Sequence, residues 1–203
     1  MNNNNCFETT TLKLSENHPI FTEHTTWDYG HTDIKLYNKK NTFLRHSLPI
    51  EYFNGEPIYD LMKEYNLNAK VFMMEPGTVY NWHRDAWRNV AFNLLLTDDP
   101  NYLTIFAHEH PINEDLTVTK FMYTPMTQII YEPRTFHLLN SQKPHLAIQY
   151  GKINRYLLTI ANYSKIPVDS FYARPANFSE YNDLVNALTA RGLIANASSN
   201  PNN

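Results

Sequence analysis

Short runs rich in β-branched and aromatic residues recur along the chain, and they predict β-strands. Residues 9–14 (TTTLKL) alternate with a period of two, and so do residues 33–38 (DIKLYN). A period of two places every second side chain on the same face of a sheet. From residue 69 onward, further strand-like runs follow one another with short turn-like segments between most of them. These predicted strands are Ala69–Met74, Val79–His83, Asn89–Thr97, Tyr102–Ala107, Leu116–Met122, Thr127–Tyr131, Thr135–Asn140, His145–Tyr150 and Arg155–Tyr163.

Two segments have the period of a helix instead. In residues 56–65, Pro57 suits the first turn of a helix and the apolar residues that follow fall on one face. In residues 179–190, Ser179 suits the N-cap and Gly192 ends the helix.

Eight or nine short strands with no helix between them are typical of a sandwich or a jelly roll. We therefore expect a mainly β protein, a double-stranded β-helix (a jelly-roll or cupin-like barrel) with a few flanking helices. The expected organisation is a single domain over residues 1–203 with its barrel core at 69–163, and residues 1–5 and 197–203 form loose polar tails.

Composition narrows the class of protein. Hydrophobic residues are 42% and charged residues 18% of the 203 positions, which excludes a disordered chain. Seventeen Lys and Arg against twenty Asp and Glu leave a net charge of -3, which weighs against a nucleic-acid binder. The single cysteine, Cys6, permits neither an internal disulfide nor a cysteine-based zinc site. With no apolar run near the roughly 18 residues of a membrane helix and no signal segment, we expect a cytoplasmic protein.

The segment 76–85 (PGTVYNWHRD) contains the candidate chemistry. In a strand, His83 and Asp85 are two positions apart and point to the same side. Burying an imidazole and a carboxylate together in an apolar barrel is costly unless something binds them. A divalent metal is one such partner, because two imidazoles and one carboxylate form the facial triad of non-haem Fe(II) oxygenases. The alternative is a solvated surface strand.

The second imidazole is assigned to His137. It follows an apolar run and a proline turn, and it lies 137 − 83 = 54 positions after His83, which is enough for several antiparallel strands to return to the same site. The alternative is a core histidine with a backbone partner.

Arg155, at the start of the last predicted strand, needs an anion if it lies inside the barrel, and a dicarboxylate cosubstrate would supply one through a bidentate pair.

These residues, in the order His-x-Asp, His and Arg, resemble the Fe(II)/2-oxoglutarate-dependent dioxygenases, particularly the aspartyl/asparaginyl and prolyl hydroxylase-like proteins of bacteria and phages. The resemblance implies a double-stranded β-helix with Fe(II) on the triad and 2-oxoglutarate bound to the iron. It makes His83, Asp85 and His137 the catalytic metal ligands and Arg155 the partner of the far carboxylate of 2-oxoglutarate.

The spacing of Arg155 departs from that pattern. The anchoring basic residue of the family follows the second histidine by about ten positions, whereas Arg155 follows His137 by 155 − 137 = 18. Either an excursion through residues 144–154 separates the two strands, or the cosubstrate has another anchor. Arg88 and Arg134 are the alternative anchors, and Asn93, on a core strand, is a further cofactor contact or a buried amide with backbone partners. The position nearer the usual spacing is His145.

A second metal motif competes with the first. Residues 108–114 read His-x-His-x₃-Glu, which is similar to the metal motif of cupins, so His108, His110, Glu114 and His137 form an alternative ligand set. The glycines that normally flank that motif are missing. The favoured function is a dioxygenase that uses O₂ to hydroxylate a C–H bond of a small molecule, amino acid or peptide side chain. The alternatives are a cupin-type metalloprotein without 2-oxoglutarate and a non-catalytic β-barrel binding module.

Overall fold

The protein is mainly β in a computed structural model, which describes residues 6–31, 43–85, 88–111, 121–163 and 179–194. Eleven strands are present in these ranges: β1 Phe7–Lys13, β2 Gly30–His31, β3 Phe43–Leu48, β4 Asn68–Met74, β5 Val79–His83, β6 Val90–Leu95, β7 Tyr102–Pro111, β8 Phe121–Gln128, β9 Thr135–Asn140, β10 His145–Gln149 and β11 Arg155–Ala161. The helices are α1 Ile20–Glu23, α2 Ile58–Glu64 and α3 Ser179–Ala190, with a 3-10 turn at Ile50–Phe53.

The strands form two antiparallel sheets. A seven-stranded sheet has the order β1-β9-β6-β11-β4-β3-β2, and a four-stranded sheet has the order β5-β10-β7-β8. Consecutive strands alternate between the sheets along much of the barrel, since β4, β6, β9 and β11 lie in the larger sheet and β5, β7, β8 and β10 in the smaller. This arrangement is the predicted jelly roll with few flanking helices, and the fold class is confirmed.

Two hydrophobic cores hold the layers together. The larger core lies between the outer face of the seven-stranded sheet and the helices, and it includes Leu158, which is fully buried, and Leu184 of α3. The smaller core lies between the two sheets and includes Phe106 and Leu139. Because successive side chains of a strand point to opposite faces, Leu138 of β9 joins the larger core while Leu139 joins the smaller one.

Several predicted elements agree with the structure. The alternation in residues 9–14 is confirmed, with Leu12 and Leu14 buried and Lys13 exposed. Strand β5 and helix α3 have their predicted bounds. The predicted strand at 33–38 and both polar tails lie outside the described residues. The predicted strand at 116–122 lies mostly outside the described residues. The strand predicted at 127–131 begins earlier than expected, as part of β8, which is an edge strand and therefore tolerates Pro125.

The segment 144–154 is not an excursion, so that alternative was wrong, whereas the strand predicted at 145–150 is confirmed. It contains strand β10, which pairs with β5 on one side and with β7 on the other, so it is the second strand of the smaller sheet. Among the described residues, no helix is both long and apolar enough to cross a membrane.

Candidate metal centre

Three side chains converge at one end of the smaller sheet: His83, Asp85 and His145. One ligand atom from each lies within 4.8 Å of the others. His83 ends β5 and His145 begins β10, and the two residues are direct partners across these strands. Asp85 follows two positions after His83, just beyond the strand end. The strands place the two imidazoles side by side, with ring centres 4.2 Å apart.

Hydrogen bonds orient both imidazoles towards the carboxylate. The Nδ1 of His83 donates to the carbonyl of Asn81 at 2.6 Å, and the Nδ1 of His145 donates to that of Lys143 at 2.9 Å. The Nε2 atoms are then free to accept, and they lie 3.7 Å and 3.9 Å from the Oδ1 of Asp85. Fixing one ring nitrogen with a backbone carbonyl is how metal-binding histidines set their tautomer.

The carboxylate is held by its own set of partners. The Arg88 Nε donates to the Asp85 Oδ2 at 2.5 Å, so the Oδ1 is the atom left facing the imidazoles. The backbone N–H of Asp85 donates to the carbonyl of Ser141. The Nε2 of Gln142 donates to the carbonyls of both Asp85 and Arg88, at 3.0 Å each. The turn between β9 and β10 therefore fixes the loop that carries Asp85.

A tight turn before β5 sets the position of this strand beside β10. Gly77 has a φ of 79°, which favours glycine, and its N–H donates to the carbonyl of Gln149 at 2.7 Å. This bond ties the start of β5 to the end of β10. The pairing then continues along both strands to His83 and His145.

The protonation states suit a divalent cation. Burial lowers the pKa of His83 to about 3, with the neighbouring His145 ring acting in the same direction, and burial also lowers the pKa of His145. Burial alone would raise the pKa of Asp85, but Arg88 and the two imidazoles outweigh it and bring the pKa to about 2. At neutral pH the group offers two neutral imidazoles and one carboxylate, the deprotonated state that metal binding needs.

His137 is not part of this group, and the predicted ligand set is corrected. It lies on β9 of the larger sheet, where it pairs with Thr9 and Asn93, whereas the other two imidazoles lie on the smaller sheet. It is fully buried, its Nδ1 donates to the carbonyl of Thr135 at 3.2 Å, and its ring meets Tyr131 edge-on. These contacts agree with the alternative prediction that His137 is a core histidine with a backbone partner. The imidazole that lies beside His83 and Asp85 is that of His145.

When the interval is counted from His145 and not from His137, the position of Arg155 agrees with the spacing of the family. Arg155 follows His145 by 155 − 145 = 10 positions, which is the spacing that the resemblance implies. This interval was the sequence signal that could have identified His145. It was obscured because His137 also lies on a strand-like run, after a proline turn.

Arg155 is a buried cation with no carboxylate partner among the described residues. It begins β11, is 1% exposed, and donates from Nη2 to the Thr104 hydroxyl at 2.9 Å. Its Nε has no hydrogen-bond partner, and the guanidinium lies 4.9 Å from the ring centre of Tyr102. Burial lowers its pKa, but a guanidinium remains charged in proteins. An anion between the sheets would pair with it.

The alternative anchors have other roles in the structure. Arg88 is paired with Asp85, as described above. Arg134 forms an ion pair with the exposed Glu16 at 2.6 Å on the surface. Asn93 is buried on β6 and its Oδ1 lacks a hydrogen-bond partner within the described part of the chain.

The cupin-type ligand set is not tested by the described residues. His108 and His110 lie on β7, where their backbones pair with Thr124 and Met122 of β8. Glu114 lies outside the described residues. That set stays a prediction.

Comparison with known proteins supports the fold. No family model matches the chain, and no curated protein matches it in sequence. Among solved structures, a prolyl-4-hydroxylase from Pseudomonas putida is similar with a TM-score of 0.51 and 12% identity, over 80% of this chain and 95% of that one. HygX from Streptomyces hygroscopicus, solved with nickel, 2-oxoglutarate and hygromycin B bound, has a TM-score of 0.48 and 9% identity, over 76% and 81% of the two chains. The similarity to the prolyl-4-hydroxylase, at 12% sequence identity, shows that the two chains share a fold.

Proposed function

We propose that this protein is an Fe(II)- and 2-oxoglutarate-dependent dioxygenase that hydroxylates a C–H bond of a small molecule, an amino acid or a peptide side chain. The observation that carries the proposal is the orientation of His83 and His145, whose Nε2 atoms both face the Oδ1 of Asp85. Two imidazoles and one carboxylate on one side of a metal leave its other positions open, which is the ligand arrangement of non-haem Fe(II) oxygenases.

Arg155 supports the choice of cosubstrate. It is buried between the sheets without an anionic partner among the described residues, and it lies on the strand that follows His145. A dicarboxylate would bring one carboxylate to the guanidinium, and its other end would reach towards the metal centre. Burying a lone charge costs several kcal/mol unless it is paired, so the site favours a ligand that carries a carboxylate.

In the expected reaction, the substrate and the cosubstrate 2-oxoglutarate each receive one oxygen atom of O₂. One oxygen atom of O₂ enters the C–H bond of the substrate as a hydroxyl group, and the other enters 2-oxoglutarate, which loses CO₂ and becomes succinate. Bound Fe(II) would supply the activation of O₂, and 2-oxoglutarate would supply the two electrons. The residues of the chain hold the metal through His83, Asp85 and His145, bind the far carboxylate through Arg155 and keep water out of the barrel.

The test is the anaerobic addition of Fe(II) and then 2-oxoglutarate to the full-length protein. We expect a weak visible charge-transfer band and a higher melting temperature that requires both ligands, because a ligand that binds the native state stabilises it. Admission of O₂ should release succinate. Absence of the band and of the thermal shift at millimolar 2-oxoglutarate would contradict the proposal.

A further inference from the structure

Two cations near the metal centre have no role in the site described so far: Lys70 of β4 and Arg45 of β3. Directly opposed residues of antiparallel strands point to the same face of a sheet. Lys70 is opposite Thr159, and Phe72 is opposite both Arg45 and Leu157. Since Arg155, Leu157 and Thr159 alternate along β11, both cations lie on the same face of the sheet as Arg155, which is the face towards the metal centre.

Contacts connect Lys70 to the metal ligands. Its Nζ lies 3.6 Å from the ring centre of Tyr163, and the Tyr163 hydroxyl accepts a hydrogen bond from Arg88 at 3.5 Å. Arg88 in turn donates to Asp85. The ammonium is therefore separated from the carboxylate of the metal centre by two side chains.

The charges of this region do not balance. Within the described ranges, neither Lys70 nor Arg45 has a carboxylate within 4.0 Å, and Arg88 already occupies the Oδ2 of Asp85. Among the described residues, these three cations therefore share a single carboxylate, that of Asp85. Burial lowers the pKa of Lys70, and the nearby Arg45 and Arg88 lower it further, so the ammonium is in an environment that favours an added anion.

Aromatic side chains lie beside the two cations. The rings of Phe43 and Phe72 stack with their centres 5.3 Å apart, and Tyr80 lies 5.4 Å from Phe43. All three are partly exposed, and Tyr80 also stacks on the His83 imidazole. An apolar or aromatic group placed against these rings would lie next to the metal centre.

We propose that Lys70 and Arg45 bind an anionic group of the substrate, a carboxylate or a phosphate monoester, while its apolar body packs against Phe43, Phe72 and Tyr80. This inference rests on the proposed function and names the substrate class of that site. The anion is distinct from the cosubstrate carboxylate at Arg155, because Lys70 is opposite Thr159, which is four residues along β11 from Arg155. At a strand rise of about 3.3 Å per residue, the two cationic positions are about 13 Å apart.

The test measures binding of simple probes to the full chain by calorimetry and ligand-observed NMR under anaerobic conditions, with Fe(II) and 2-oxoglutarate present to occupy the metal centre and Arg155. Phenyl phosphate and phenylacetate are the anionic probes, and benzyl alcohol is the neutral one. We expect at least one anionic probe to bind and benzyl alcohol to bind far more weakly. The preferred anion identifies the substrate as a phosphate monoester or a carboxylate.

Variants then assign the binding to the two cations. Lys70→Met should lower the affinity for the anionic probe about tenfold, as expected for the loss of one charge-assisted hydrogen bond. Lys70→Arg should retain the wild-type affinity. Arg45→Gln should weaken it about threefold, because Arg45 is exposed and its charge is screened. The matched control is Lys63→Met, since Lys63 also lies over a tyrosine ring, that of Tyr59, but on helix α2.

Three outcomes would overturn the inference. The first is that Lys70→Met binds the anionic probes as wild type does, and the second is that benzyl alcohol binds as well as they do. The third is that Lys70→Met weakens 2-oxoglutarate itself as much as a change at Arg155 does, which would assign Lys70 to the cosubstrate. If the anaerobic charge-transfer band is absent but anion binding still depends on Lys70, the proposed function fails while the anion site stands.

Discussion

The Nε2 of His145 lies 3.9 Å from the Oδ1 of Asp85, although 145 − 85 = 60 positions separate the two residues. Strand pairing explains the contact. His145 is the direct partner of His83 between β10 and β5, and the turn that precedes β10 holds the Asp85 loop through Ser141 and Gln142. The same few residues therefore position all three side chains of the candidate metal centre.

Replacement of the two candidate histidines should separate their roles. His145→Ala removes one of three ligand atoms, so we expect it to weaken Fe(II) binding by more than about 100-fold, which exceeds the usual loss when a residue that only orients a ligand is changed. His137→Gln should bind Fe(II) as wild type does, because His137 lies on the other sheet. Anaerobic calorimetry measures both affinities, and the reverse pattern would restore His137 as the ligand.

Arg88 should act through Asp85 and leave the cosubstrate unaffected. Because the guanidinium holds the Oδ2, Arg88→Gln frees the carboxylate to rotate, and we expect Fe(II) affinity to fall about 10- to 100-fold. At saturating metal, 2-oxoglutarate affinity should be unchanged. Arg134→Gln is the matched control, since Arg134 pairs with Glu16 on the surface. A selective loss of 2-oxoglutarate binding in Arg88→Gln would instead identify Arg88 as the anchor.

Arg155 should control affinity for 2-oxoglutarate without controlling that for iron. Arg155→Lys keeps the charge but loses the bidentate geometry, and a loss of roughly 1.5–3 kcal/mol corresponds to about a 10- to 150-fold weaker cosubstrate. Titration of the charge-transfer band measures this change. Wild-type affinity in the variant would show that the far carboxylate binds elsewhere.

The stability of the ligand-free protein provides an independent check on Arg155. Its guanidinium is 1% exposed and has the Thr104 hydroxyl as a partner, so the native state contains a buried charge without a counter-ion among the described residues. Replacement of buried charges by apolar side chains of similar size is often neutral or stabilising. Arg155→Met should therefore keep or raise the free energy of unfolding in urea, while it abolishes 2-oxoglutarate binding. A large loss of stability would indicate a structural role instead.

The ligand-free protein should lose stability in mild acid. Burial lowers the pKa of His24 and of His137, so both take up a proton less readily in the native state than in the unfolded chain, where a histidine titrates near about 6.5. Below that pH the unfolded state binds more protons, and the free energy of unfolding falls as the pH falls, by up to about 1.4 kcal/mol per pH unit for each histidine.

Urea unfolding at about pH 7.5 and about pH 5.5 measures this effect. His24→Gln should show a smaller difference between the two pH values than wild type, because one of the buried imidazoles is gone. His31→Gln, at an exposed position, is the matched control. An unchanged difference in His24→Gln would show that His24 does not contribute to the pH dependence.

The sequence by itself determined most of the strands, the fold class and two of the three residues of the candidate metal centre. Period-two alternation predicted a strand at residues 9–14, and in β1 Leu12 is buried while Lys13 is exposed, because every second residue of a strand lies on the same face. The spacing of His83 and Asp85 is local, and two positions along a chain stay close whatever the rest of the fold does. Arg155 could be recognised in the same way, as a cation at the start of an otherwise apolar core strand.

The tertiary structure decided which distant imidazole joins them. His137 and His145 both lie on strands and are both buried, so local pattern does not separate them. What separates them is the sheet to which each strand belongs, because β9 pairs with β1 and β6 while β10 pairs with β5 and β7. Alternation specifies which residues share a face of a strand, but it does not specify which strand lies next to it. Packing between distant segments decides the neighbouring strand, and here it places β10 beside β5, so that His145 lies opposite His83.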